Sequence, residues 1–226
     1  MLGRYYREVG WLRRKVAAAR ELWTRRFDWR FLLYRAKFHW SHRLDLPSAF
    51  PAHLDIETTD ACNLRCIMCV QGIGEGVKDT GMIDADFAKR LIDEGARNGL
   101  YSIKFNWRGE PALHAGLAEL VRYAKARGIL EVQFNTNGIP YTESKIRELV
   151  LSGLDRVIFS MDGASKETYE RIRVGSSYDT LVENVKLFHA IRTALGRERP
   201  FIRIQMVRMK ANQHEVDQFV EMWKPF

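Results

Sequence analysis

Cysteine is nearly absent from this chain of 226 residues: there are three, all between positions 62 and 69. With none elsewhere, no disulfide framework can form, and three thiols cannot all pair. Thiols kept free suit a reducing compartment, so the expected location is the cytoplasm. Long apolar runs are missing too. No stretch approaches 18 apolar residues, so no membrane-spanning helix is expected. The first residues lack the apolar core and small-residue cleavage site of a secretory signal. There is no long repeat and no low-complexity tract.

Excess charge is also absent from most of the chain. Residues 1–45 carry twelve Lys and Arg against four acids, which accounts for the whole net charge of +8 and leaves the remainder neutral. A basic balance confined to one arm argues against nucleic acid as the partner of the body. Within the arm, Leu12, Val16, Ala19, Leu22 and Trp23 recur at three- and four-residue steps, which predicts helix. Aromatics are dense there: Trp11, Trp23, Phe27, Trp29, Phe31, Tyr34, Phe38 and Trp40. Such interleaving of Trp, Phe and Arg suits an interfacial helix on a membrane surface or a protein partner. It equally suits an amphipathic helix packed on the body. Pro47 and Pro51 end the helical pattern, so residues 1–50 are read as arm and linker and 51–226 as the catalytic domain.

After the linker the pattern alternates. Strands are expected over residues 53–58, 101–107, 130–135, 156–160 and 201–207. Helices are expected over 84–98, 114–127, 142–152, 166–171, 178–193 and 213–223, with Asp84 as a cap of the first. Strands alternating with helices of this kind predict βαβ units and a parallel sheet. Ligands bind such sheets beyond the carboxyl ends of the strands. Four polar or glycine-rich segments fall at those ends: the cysteines, Gly109-Glu110-Pro111, Asn135-Thr136-Asn137-Gly138 and Ser160-Met161-Asp162-Gly163.

The cysteines read Cys62-Asn63-Leu64-Arg65-Cys66-Ile67-Met68-Cys69. Three thiolates on one short loop can hold three irons of a cubic iron–sulfur cluster and leave the fourth iron open. An open coordination site is what catalytic metal chemistry needs. The competing reading is structural zinc, which wants a fourth ligand, and only a distant histidine such as His53 or His114 could supply one.

The C-x3-C-x2-C spacing, with the four strand ends, resembles the radical S-adenosylmethionine (radical SAM) superfamily. The likeness runs from about residue 54 to 209 and is nearest to members with a SPASM-type C-terminal extension, which is absent here. It implies an α/β fold, a partial (β/α)6 barrel lacking its last strand, preceded by the basic helical arm. It implies a [4Fe–4S] cluster on Cys62, Cys66 and Cys69, with SAM on the open iron. Gly109, Glu110 and Pro111 resemble the segment that binds the amino group of the SAM methionine, with Arg108 in place of a first glycine. Asn135 and Thr136 would lie near the methionine and ribose. Ser160 and Asp162 would contact ribose hydroxyls, and Arg173, with Arg171 as the competing candidate, would pair with the SAM carboxylate. Met68 stands where an aromatic is usual and would pack near adenine.

The implied activity is reductive cleavage of SAM to a 5′-deoxyadenosyl radical that takes hydrogen from a peptide, sugar or small metabolite. An electron donor of flavodoxin or ferredoxin type is implied as partner. The fifth strand lacks the usual adenine motif, and the chain ends at Phe226 where the family has a sixth strand, so the domain is read as C-terminally shortened. Two other readings stay open: an inactive remnant that keeps the cluster as a binding module, and a zinc-binding nucleic-acid protein.

Overall fold

The computed structural model describes residues 29–41, 43–45, 49–74 and 80–224. The arm helix expected around Leu12–Trp23 lies outside them. The chain divides into two compact units, Met1–Ala52 and His53–Phe226. In the first, α1 (Trp29–Trp40) buries Phe31 and Tyr34, their rings tilted with centroids 5.9 Å apart, and exposes Trp29, Leu32, Leu33, Phe38 and Trp40.

The second unit is built on one sheet of β1 (His53–Asp55), β2 (Ser102–Lys104), β3 (Glu131–Thr136), β4 (Arg156–Ser160) and β5 (Phe201–Gln205). The strands lie in chain order and every neighbouring pair is parallel. Parallel neighbours need crossovers, and helices supply them. These are α2 (Ala85–Arg97), α3 (Leu117–Ala126), α4 (Glu143–Leu151), then α5 (Lys166–Ile172) and α6 (Tyr178–Ala194) together. A last helix, α7 (Val216–Trp223), follows β5. Among the described residues the sheet does not close: β1 and β5 are its edges, as in an unclosed partial barrel.

Helix starts follow from local chemistry. The Asp84 carboxylate accepts from Phe87 N at 2.8 Å at the head of α2, and Thr142, Ser165 and Ser177 hydroxyls accept three residues on at α4, α5 and α6. Each satisfies an amide that the helix itself leaves unpaired.

The two faces of the sheet differ. Ile103, Val132, Phe134, Val157 and Phe159 share one face and are fully buried among Ile92, Val121, Ile146, Leu181 and Phe188 of the helices. Phe159 and Phe188 meet at 5.4 Å, edge to face. The register places Lys104, Gln133, Asn135, Ser160, Arg203 and Gln205 on the other face, half-buried or exposed. Purely parallel sheets are normally apolar on both faces. The second face of this sheet instead carries several polar side chains, with Ser102, Glu131 and Ile158 buried among them.

The order of elements matches the expectation; the ends differ for identifiable reasons. Strand β5 stops at Gln205, not at 207, because Val207 N donates to the Asp162 carboxylate at 2.7 Å instead of to a strand partner. The helix expected over 114–127 starts three residues late, at Leu117. A 3-10 turn, Pro111–Leu113, is capped by Glu110, and Gly116 N donates to His114 Nδ1 at 3.1 Å before α3 begins. The helix expected from 213 opens as a 3-10 turn, Gln213–Glu215. β1 and β2 are three residues each, shorter than expected. Beyond them, Arg108 N donates to Glu57 Oε1 and Glu110 N to the Ala61 carbonyl, so the chain turns instead of extending.

Candidate cluster and cofactor site

The cysteine loop follows β1 and is pinned at both ends. The Thr59 hydroxyl donates to the Gly81 carbonyl at 2.7 Å, and Gly81 N donates to the Asp60 carboxylate at 2.7 Å. Cys69 N donates to the Cys66 carbonyl at 3.0 Å, and Gly72 N to the Cys69 carbonyl at 2.8 Å, so the loop curls back on itself. Gly72 is required there, because a Cβ at that position would collide with the Cys66 carbonyl oxygen. On its other side the loop is laced to the end of α5: Arg65 N donates to the Val174 carbonyl and Ile67 N to the Ile172 carbonyl.

All three thiols are free; Cys66 is 7% exposed, and Cys62 and Cys69 are half-buried. Burial pushes the Cys62 and Cys66 thiols up from their ordinary value. Leu64 N and Arg65 oppose this at Cys62, and the Arg173 guanidinium opposes it at Cys66. Cys69 adds to the rise at Cys62, and both Cys62 and Cys69 add to it at Cys66. Metal binding would supply the positive charge that makes such thiols ionise. Two donors face the sulfurs: Asn137 Nδ2 at 4.0 Å from Cys62 Sγ and Arg173 Nη1 at 3.9 Å from Cys66 Sγ.

Among the described residues no three His, Cys, Asp or Glu side chains are placed to hold a metal ion. Thiolates on one tetrahedral zinc would stand about 4 Å apart, given Zn–S bonds of about 2.3 Å. Thiolates on separate irons of a cluster stand further apart. The donor set, the curled loop and the paired N–H donors are what a cluster asks of a protein.

The candidate SAM residues fall into two groups. Asn135 and Ser160 stand on the polar face of the sheet, both half-buried. Asn135 Oδ1 is buried and, among the described residues, has no hydrogen-bond partner, an arrangement that costs free energy until a donor arrives.

The second group is engaged within the protein. Strand alternation turns Thr136 to the opposite face from Asn135, where its hydroxyl donates to Glu110 Oε1 at 2.7 Å. Glu110 also accepts from Ala112 N at 3.0 Å and from Asn137 N at 2.6 Å. Burial raises its pKa, while the donors on Asn137, Thr136 and Ala112 oppose the rise. One of about four acceptor sites on this carboxylate remains unused by these bonds. Pro111 opens the 3-10 turn and is buried. Gly109 passes so close to the Thr59 and Ala61 carbonyls that no side chain fits. Asp162 is 0% exposed; its Oδ1 accepts from Val207 N and its Oδ2 from Arg173 Nε at 2.9 Å and Nη2 at 2.7 Å. Met68 lies on the exposed side of the loop.

Other residues shape the site without standing out in the sequence. Asn137 bridges Cys62 and Asn63, its Nδ2 donating to Asn63 Oδ1 at 2.8 Å. Asn212, fully buried, donates to the carbonyls of Asp162 and Val207 and fixes that corner. Glu57 grips Arg108 through two side-chain bonds, at 3.0 and 2.8 Å. Asn-Gly after a strand was the one visible signal among these, and it reads equally as a turn.

A parallel βα sheet with a three-thiol loop beyond its first strand and polar groups at the following strand ends defines a class: metal-cluster enzymes of the open βα barrel. The family profile described as Radical SAM superfamily matches residues 56–195, which include every candidate site residue. The chain belongs to the radical SAM superfamily, whose members use a [4Fe–4S] cluster and SAM. A tungsten-containing aldehyde ferredoxin oxidoreductase cofactor-modifying protein of Pyrococcus furiosus is 30% identical over 169 residues, 73% of this chain and 46% of that protein. A GTP 3',8-cyclase of Chlorobaculum tepidum is 30% identical over 171 residues, 75% of this chain and 49% of that one. The chain therefore spans about half the length of these curated relatives. Streptococcus suis SuiB bound to S-adenosylmethionine shares the fold, with a TM-score of 0.64 at 20% identity over 76% of this chain and 38% of SuiB. What matches is the radical SAM domain; no SPASM extension is among the matched parts.

Proposed function

We propose that Cys62, Cys66 and Cys69 hold a [4Fe–4S] cluster and that SAM binds its open iron along the strand ends. Three free thiols on one pinned loop, two of them faced by N–H donors, carry this reading. When bound, the two cofactors supply one-electron reductive cleavage of SAM and hydrogen abstraction from a substrate.

The chain's own residues do the holding. Glu110 ties the turn after β2 to the end of β3, keeping Asn137 beside Cys62. Asn135 Oδ1 offers an acceptor to the amino or hydroxyl groups of SAM, and Ser160 a hydroxyl on the same face. Arg173 keeps Nη1 clear of Asp162, with one N–H towards Cys66 Sγ and the other for the SAM carboxylate. The curled, half-buried loop limits water at the cluster. Substrate lies over the polar face, near Lys104, Gln133 and Arg203. The relatives are named for a nucleotide cyclase and a cofactor-modifying protein, and SuiB is also seen with a precursor peptide, so they share no substrate class. A flavodoxin- or ferredoxin-type protein supplies the electron, and the basic arm docks the enzyme on an anionic membrane surface or a partner.

The test is anaerobic reconstitution with iron and sulfide, followed by metal analysis and an assay for 5′-deoxyadenosine. The expected result is four irons per chain and SAM cleavage under dithionite, both lost in Cys66→Ala. Zinc in place of iron would refute the reading. A cluster without SAM cleavage would leave a binding module.

A further inference from the structure

We infer that Arg173, held by Asp162, raises the reduction potential of the cluster through the Cys66 thiolate. This rests on the cluster reading above. The backbone fixes the encounter from both sides: Arg65 and Ile67, which flank Cys66, donate to Val174 and Ile172, which flank Arg173. Thiol and guanidinium are thereby set opposite each other. Asp162 then orients the guanidinium, taking Nε at 2.9 Å and Nη2 at 2.7 Å on one oxygen. Its other oxygen is held by Val207 N at 2.7 Å, and its carbonyl by Asn212 Nδ2 at 3.0 Å. The nitrogen left over, Nη1, is the one aimed at Cys66 Sγ, at 3.9 Å. The arginine side chain is 11% exposed and the aspartate 0%, so bulk water screens this contact little.

A cluster gains negative charge on reduction. A buried N–H donor and positive charge beside one of its thiolates stabilise the reduced form more than the oxidised one. Burial of an ion pair is expensive, and this one is placed where its free end serves the metal centre. Asp162 is in this account a positioning residue: its negative charge offsets part of the effect, and its grip supplies the direction.

The experiment is a potentiometric titration of the reconstituted chain, with dithionite as one-electron reductant and electron paramagnetic resonance as readout, without SAM. The SAM carboxylate then plays no part. The double variant Asp162→Asn/Arg173→Gln keeps the pair neutral and avoids an orphaned buried charge. It is expected to shift the reduction equilibrium about tenfold towards the oxidised cluster, about 59 mV for one electron. Arg173→Lys keeps the charge but not the planar donor and shifts it less, in the same direction. A wild type without a cluster sinks the earlier reading. An intact cluster with unchanged potential in the double variant sinks this inference alone. Should the double variant not fold, a wild-type potential in Arg173→Lys overturns it.

Discussion

Gly72 shows how much a single position decides at this site. Its missing side chain lets the chain pass against the Cys66 carbonyl and fold the three cysteines into one curl. Gly72→Ala forces the loop apart at a cost of about 1–3 kcal/mol, the usual range for overpacking. The core of the sheet is not involved, so the fold should survive. Reduced iron content per chain after reconstitution, with an unchanged far-ultraviolet circular dichroism spectrum, is the expected outcome; full iron loading would show that the curl is not needed. The same scale explains where motif reading stops. Asn135 and Thr136 are adjacent and look alike as candidates, yet alternation sends one to the polar face and the other to Glu110. Asp162 reads as a ligand residue in the sequence, and in the fold its carboxylate meets Arg173 and Val207 N.

Among the elements, the short 3-10 turn after β5 does more than connect. Its Glu215 reaches back to the head of α5, accepting from Ala164 N at 2.6 Å, Ser165 N at 3.1 Å and the Ser165 hydroxyl at 2.6 Å. Burial works to raise its pKa, and these donors with Thr168 outweigh it, holding the carboxyl at about 2 against an ordinary 4.5. A depressed acid stabilises the fold above its unfolded value, and that contribution fades as pH falls through the folded value. Glu215→Gln is therefore expected to cost about 1–3 kcal/mol at pH 7, the penalty for losing bonds to a charged acceptor. The gap between the two proteins should close between pH 4.5 and about 2. Urea unfolding of the metal-free chain at several pH values measures this, and a gap independent of pH would exclude the assignment. The starts of α2 and α4 were legible because a cap is local: Asp84 and Thr142 bond amides three residues away. The end of β5 was not, since it depends on Asp162, 45 residues distant from Val207.

For the whole molecule, the division of charge is the feature with the widest consequence. The arm carries the net charge of +8, and the body is neutral. Each basic residue close to an anionic leaflet contributes about 1 kcal/mol, less at high salt. The full chain is expected to co-sediment with phosphatidylserine vesicles at low salt and to release as salt rises, whereas a chain beginning at Leu46 stays in solution. Equal sedimentation of both, or of neither, would refute the membrane reading, and an insoluble shortened chain would favour packing of the arm on the body. No helix among the described residues is long and apolar enough to cross a membrane.

The order of strands and helices, the cysteine spacing and the neutrality of the body were set by the sequence itself, because hydrophobic period, capping and charge act over a few residues. The facing of Arg173 and Cys66, the service of Glu110 and Asp162 within the protein, and the polar inner face of the sheet were decided only by the tertiary structure. Those depend on register between strands and on loops brought together from far apart in the chain, and on which donors are left over once the Glu110 and Asp162 carboxylates have been bonded.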